Sequence, residues 1–104
     1  MTVEGTWTLS IDTPIGKQAA ELVLSRDGNR LTGTLADRTA TLEIIDGVVS
    51  GDVAVWKVVK TTKVLVKKIK VPVTFTVTVE GDRMRGRVST GRFGAFAVNG
   101  LRVR

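Results

Sequence analysis

Cysteine, histidine and tyrosine are all absent from the 104 residues. Without cysteine there is neither a disulfide nor a thiol nucleophile. Without histidine the chain lacks the imidazole base of catalytic triads, a usual zinc ligand and the commonest pH switch. No metal and no cofactor is expected. No apolar run approaches the roughly 18 residues of a membrane span, and the opening MTVEGTWTLS has neither a basic nor an apolar leader region, so a cytoplasmic location is expected. Acid is also missing over a long stretch, since no Asp or Glu falls between Val53 and Val79 in a chain of net charge +6. Such asymmetry attracts phosphates or anionic lipid.

What is present is alternation of period two, with turn signals roughly every ten residues, the pattern of an all-β barrel or sandwich. A chain of this length is expected to be one domain, residues 1–104, with a core of its own. The first strand spans about Val3 to Asp12, with Val3, Trp7, Leu9 and Ile11 inward. The second spans Lys17 to Ser25, with Ala20, Leu22 and Leu24 inward, and Asp27-Gly28 closes a hairpin by supplying positive φ. Leu31, Gly33 and Leu35 continue the pattern. Leu42 and Ile44 follow, then an expected turn at Asp46-Gly47 and a fifth strand from Val49 to Val59. Val71, Val73, Phe75, Val77 and Val79 share one face of the clearest strand, with Thr74, Thr76 and Thr78 on the other. Arg83, Arg85 and Arg87 then alternate with Met84, Gly86 and Val88, and Ala95 to Val103 forms the eighth strand.

Eight strands joined by short turns make an antiparallel up-and-down meander, which removes its exposed edges by closing into a barrel. The interior of an eight-stranded barrel is filled by side chains or holds one small ligand.

Gly5-Thr6-Trp7 on the first strand and Arg102 near the end of the last resemble the calycin superfamily, the lipocalins, fatty-acid-binding proteins and avidins. The resemblance implies that Trp7 plugs one barrel end and Arg102 packs across it, so both are structural. GTW also resembles the opening of the streptavidin-like avidins, but their biotin ring includes a tyrosine and this chain has none. A closer likeness, over most of the chain, is to small bacterial barrel modules patterned GTW, TPxG, DGxxLTGTL, GD and FG. Here those elements are Gly5 to Trp7, Thr13 to Gly16, Asp27 to Leu35, Gly51-Asp52 and Phe93-Gly94. They are turns and plugs, and they carry no catalytic residue. The chain departs from that pattern at residues 57–70.

Trp56 shares parity with Ala54 and Val58 and opposes Val53 and Val55, so either face is open to it. If a cavity exists, Trp56, Phe75, Met84 and Phe96 are the residues expected to line it, and an apolar or aromatic ligand suits them. The carboxylates offer no acid–base pair: Asp12, Asp27, Asp46, Asp52 and Asp82 sit at turns, where Asp bonds local backbone, and Glu4, Glu21 and Glu43 fall on outward positions. The glycine-rich GDRMRG and TGRFG precede no helix and so build no nucleotide cradle.

KVVKTTKVLVKKIK, residues 57–70, holds six lysines in fourteen positions. As a helix, Lys60, Lys63, Lys67 and Lys70 would form a cationic face. Half the segment is β-branched, which favours strand. A hairpin turning at residues 60–63 is expected, with a β-bulge at Lys67 and Lys68 to correct the parity of Val64 and Val66 against Ile69 and Val71. Its lysines either keep an edge soluble or contact phosphates, without interleaved aromatics for base stacking.

The expected function is a non-catalytic barrel module binding a small apolar ligand, as a homodimer. The alternative is a basic surface module that binds nucleic acid or anionic membrane through Lys60, Lys63, Lys67, Lys68 and Lys70 with Arg83, Arg85 and Arg87. A third class is a cyclase or isomerase that steers a reactive substrate by cavity shape alone.

Overall fold

The computed structural model describes residues 3–13, 16–37, 40–64, 67–91 and 94–103, and for 60–64 and 67–69 the backbone only. Nine strands follow one another: β1 Gly5–Thr13, β2 Gly16–Asp27, β3 Arg30–Ala36, β4 Thr41–Glu43, β5 Ile45–Ser50, β6 Val53–Val64, β7 Lys67–Glu80, β8 Arg83–Ser89 and β9 Ala95–Arg102. All pairings are antiparallel. The order β2-β1-β9-β8-β7-β6-β5-β3 closes through β2–β3 into an eight-stranded barrel of meander order. The ninth strand, β4, is extra to those eight and pairs with β3 alone, on the edge of β3 that β5 occupies at its other end.

The period-two pattern explains the interior. Trp7 and Leu9 of β1, Leu22 and Leu24 of β2, Ala54, Trp56 and Val58 of β6, Phe75 and Val77 of β7 and Met84 and Val88 of β8 are buried, and their intervening neighbours face outward or are half-buried. Among the described residues the buried set contains no charged side chain. No helix among them is long and apolar enough to cross a membrane.

Asp46-Gly47 is not the expected hairpin turn. Both residues lie within β5, Asp46 at φ 52°, where the register with β6 shifts between Ile45 and Val48. Gly47 pairs with Leu31, and a Cβ there would stand 2.5 Å from the Leu31 carbonyl oxygen. The Asp-Gly dipeptide therefore supplies its unusual backbone to an irregularity inside a strand, where it re-aims the chain around the barrel. The turn falls instead at Gly51-Asp52, so Val49 lies inside β5, which ends at Ser50, and the next strand begins at Val53. Ile44 separates β4 from β5, and the expected single strand there is two.

The lysine segment is a hairpin, but a longer and more regular one than expected. β6 runs through residues 60–63 without turning and ends at Val64, and its ladder with β7 keeps one register from Val53↔Thr78 to Val64↔Lys67. The expected bulge at Lys67 and Lys68 is absent from that ladder, in which Lys68 faces Lys63. Beyond Lys57 and Thr74 these two strands pair only with each other. Val58 and Val73 are still buried there and Val71 packs against the core, and from them the ladder passes into the distal hairpin in a single register.

Candidate functional site

The two ends of the barrel differ. One end gathers the start of β1, the end of β9 and the turns β2–β3, β5–β6 and β7–β8. Those turns are stitched to neighbouring strands: the Val49 amide donates to the Asn29 carbonyl (2.9 Å), and the Val79 amide to the Asp52 carbonyl (2.8 Å). Here Trp7 is fully buried and its indole Nε1 donates to the Val3 carbonyl at 2.9 Å. The Arg102 guanidinium carbon lies 4.4 Å from the centre of the Trp7 ring system. Its Nε donates to Asp82 Oδ1 at 3.0 Å, Nη1 donates to the Glu4 carbonyl and Nη2 reaches the Gly81 carbonyl at 3.4 Å. One arginine thus ties the N-terminal segment and the β7–β8 turn across the tryptophan face. Its partners Glu4 and Asp82 lie 98 and 20 positions away, and no local sequence signal pairs them.

At the opposite end, where β1 meets β2 and β6 meets β7, the same inward parity is only partly covered. Ile11, Ala20, Leu42 and Val71 are half-buried residues packed against the core. Phe96 is half-buried as well. These are the inward residues nearest that end of their strands, a signal the sequence carries once the Trp7 end is known. Below them sits Trp56, fully buried, with its ring stacked on Phe75 at 5.3 Å between centroids and 13° between planes. This geometry is the offset stack favoured by aromatic quadrupoles. The register carries the row onward from Trp56 and Phe75 to Val88 and Phe96.

Trp56 Nε1 is buried and has no hydrogen-bond partner. It is the single side-chain polar atom so placed among the described residues. Leaving a buried donor unmade costs about 1–3 kcal/mol, and native structures hold few of them.

Of the four residues expected to line a cavity, the structure brings Trp56, Phe75 and Phe96 into one row and sets Met84 apart. Met84 pairs with Val79 and Gly100, nearer the Trp7 end, and a Cβ on Gly100 would stand 2.7 Å from both Leu9 Cδ2 and Met84 Cγ. Met84 therefore fills the interior around Gly100, where a larger residue has no room.

On the outer face, Arg83, Arg85 and Arg87 are exposed along β8. Lys57 and Lys70 are exposed on β6 and β7; the side chains of Lys60, Lys63, Lys67 and Lys68 lie outside the described set. A shallow cleft of about 250 Å³ lies among Thr78, Glu80, Arg83, Met84 and Arg85.

No protein-family model matches this chain, and no curated protein matches it either.

Proposed function

We propose that this protein is a non-catalytic, calycin-like binding module whose barrel takes a small, mostly apolar, planar ligand at the end opposite the Trp7 plug. The observation that carries the reading is the unpartnered Trp56 Nε1, a lone polar atom beside a stacked ring in an apolar interior. A flat ligand bearing one acceptor, a carbonyl or ether oxygen or a ring nitrogen, would meet both demands. Its apolar body would lie against Phe75 and the half-buried rim of Ile11, Leu42 and Phe96, and its acceptor would receive the indole proton. The asymmetry of the barrel supports the same end: one mouth is sealed by Trp7 and Arg102, while the other leaves inward residues half-covered. The Gly-x-Trp and late arginine, packed face to face, support the calycin-like lineage.

A thermal-shift panel of small planar heteroaromatics tests the reading. A ligand at one hundred times its Kd raises the unfolding free energy by about 2.7 kcal/mol, which a melting curve resolves. Leu42→Arg, which places a charge at the open rim, should abolish the ligand-induced shift while the protein still melts cooperatively. A panel that shifts neither melting nor tryptophan emission contradicts the proposal.

A further inference from the structure

We infer that the outer face of β7, β8 and β9 is a second, separate site that binds the phosphodiester backbone of nucleic acid without reading its sequence. Arg83, Arg85 and Arg87 occupy alternate positions of one strand and are all exposed. Consecutive members of this row are therefore about 6.8 Å apart, twice the rise per residue. The strand holds that spacing rigidly, because β8 is paired along its length to β7 and to β9. An evenly spaced ladder of guanidinium groups suits a linear anion with regularly repeated charge better than a single phosphate.

The flanking positions add neutral hydrogen-bonding groups. Thr76 pairs with Arg87, Thr78 with Arg85, and Asn99 with Arg85 on the other side. Hydroxyls and amides of this kind supply much of the ordinary contact to phosphate and sugar, and arginine binds phosphate bidentately. Exposed Lys57 pairs with Thr74, and β7 runs on past it to exposed Lys70, which prolongs the cationic track toward the ribbon.

Acid barely interrupts the face. Glu80 Oε1 lies 3.9 Å from Arg85 Nη2, with both side chains about three-quarters exposed, a pair that a phosphate readily displaces.

A membrane surface is the competing occupant, and the face suits it less well. Its large exposed apolar residues are Val53 on β6 and, at the far edge, Leu101 at the end of β9 with Val103 just after it, and β7 and β8 with their arginines lie between the two places. Three aliphatic side chains divided between the two edges give no continuous apolar area across the cationic face to enter a bilayer. The outward positions of β7, β8 and β9 also carry no aromatic residue. Base stacking is therefore not offered, and binding is to the backbone, with strong salt dependence.

Fluorescence anisotropy with a labelled oligothymidine and with a labelled duplex of equal length tests this directly, alongside sedimentation with phosphatidylserine vesicles. Three to five neutralised phosphates give a log–log salt slope of about −2 to −3.5 on a single strand, a loss of about 15- to 130-fold between 50 and 200 mM salt. The variant R83Q/R85Q/R87Q should lose at least tenfold in affinity. K17Q/R26Q/R30Q, with the same change in net charge on exposed positions of β2 and β3, should stay within threefold of the parent. Cooperative melting of both variants confirms that each is folded. The relative affinity of the two oligonucleotides tells whether single strand or duplex is preferred. Equal losses in the two variants, binding indifferent to salt, or vesicle binding with neither oligonucleotide bound would each overturn the assignment.

Discussion

The two tryptophans occupy equally buried positions and face opposite demands. Trp7 has its indole proton bonded to Val3 and its ring under Arg102, so both its polar and its π character are satisfied. Trp56 has its ring stacked and its proton unmet. Phenylalanine at either site removes similar volume, but the balance differs. Trp7→Phe loses a hydrogen bond worth about 0.5–1.5 kcal/mol and weakens a cation–π contact worth about 0.5–2 kcal/mol. Trp56→Phe relieves an unpaired donor that costs about 1–3 kcal/mol. Chemical denaturation should therefore find Trp7→Phe more destabilising than Trp56→Phe by at least about 1 kcal/mol. The inward glycines allow a second comparison. A Cβ on Gly86 would run into the Thr76 carbonyl, and one on Gly100 would meet only side-chain atoms, Leu9 Cδ2 and Met84 Cγ. Backbone cannot yield as side chains can, so Gly86→Ala should exceed the usual overpacking cost of about 1–3 kcal/mol, and Gly100→Ala should fall within it.

At the scale of elements, the β6–β7 hairpin shows where reading parity from sequence stops working. Inside the barrel every inward position faces a core, and the alternation of Val73, Phe75, Val77 and Val79 places its strand correctly. Past Val58 and Val73 the ladder continues without a barrel on either edge, and parity there predicts a turn and a bulge that the ladder does not contain. Likewise Asp46-Gly47 has the composition of a turn and the geometry of a strand irregularity, because a positive φ serves both and only the neighbouring strands decide between them. Since the described residues of the distal hairpin pair with no other strand, replacing residues 61–70 by Asn-Gly between Lys60 and Val71 should leave the barrel folded. Its denaturation midpoint should stay within about 1 kcal/mol equivalent of the parent, given how little an isolated two-stranded hairpin stabilises itself. A collapse of cooperative unfolding would show instead that the ribbon supports the barrel. The register also sets Lys63 opposite Lys68.

At the scale of the whole molecule, closure in meander order is what the sequence states most plainly, through eight alternating segments and the glycine-bearing turns between them. The difference between the two ends is less legible. It depends on Arg102 reaching the Glu4 carbonyl and Asp82 across the closed sheet, and on which inward residues remain half-covered once the ring is shut. Trp56 is singled out in the sequence by type, but its orphaned proton is a property of the assembled interior. Proton–nitrogen correlation spectra of the two indole groups reach the central proposal most directly. Titration with a planar ligand that bears a carbonyl acceptor should move the Trp56 Nε1–H resonance downfield and leave that of Trp7, already bonded to Val3, in place. The matched hydrocarbon without the acceptor should bind more weakly and leave Trp56 unshifted. If the acceptor-bearing ligands leave both resonances untouched at saturating concentration, Trp56 is a core residue and the barrel is not a binding site of this kind.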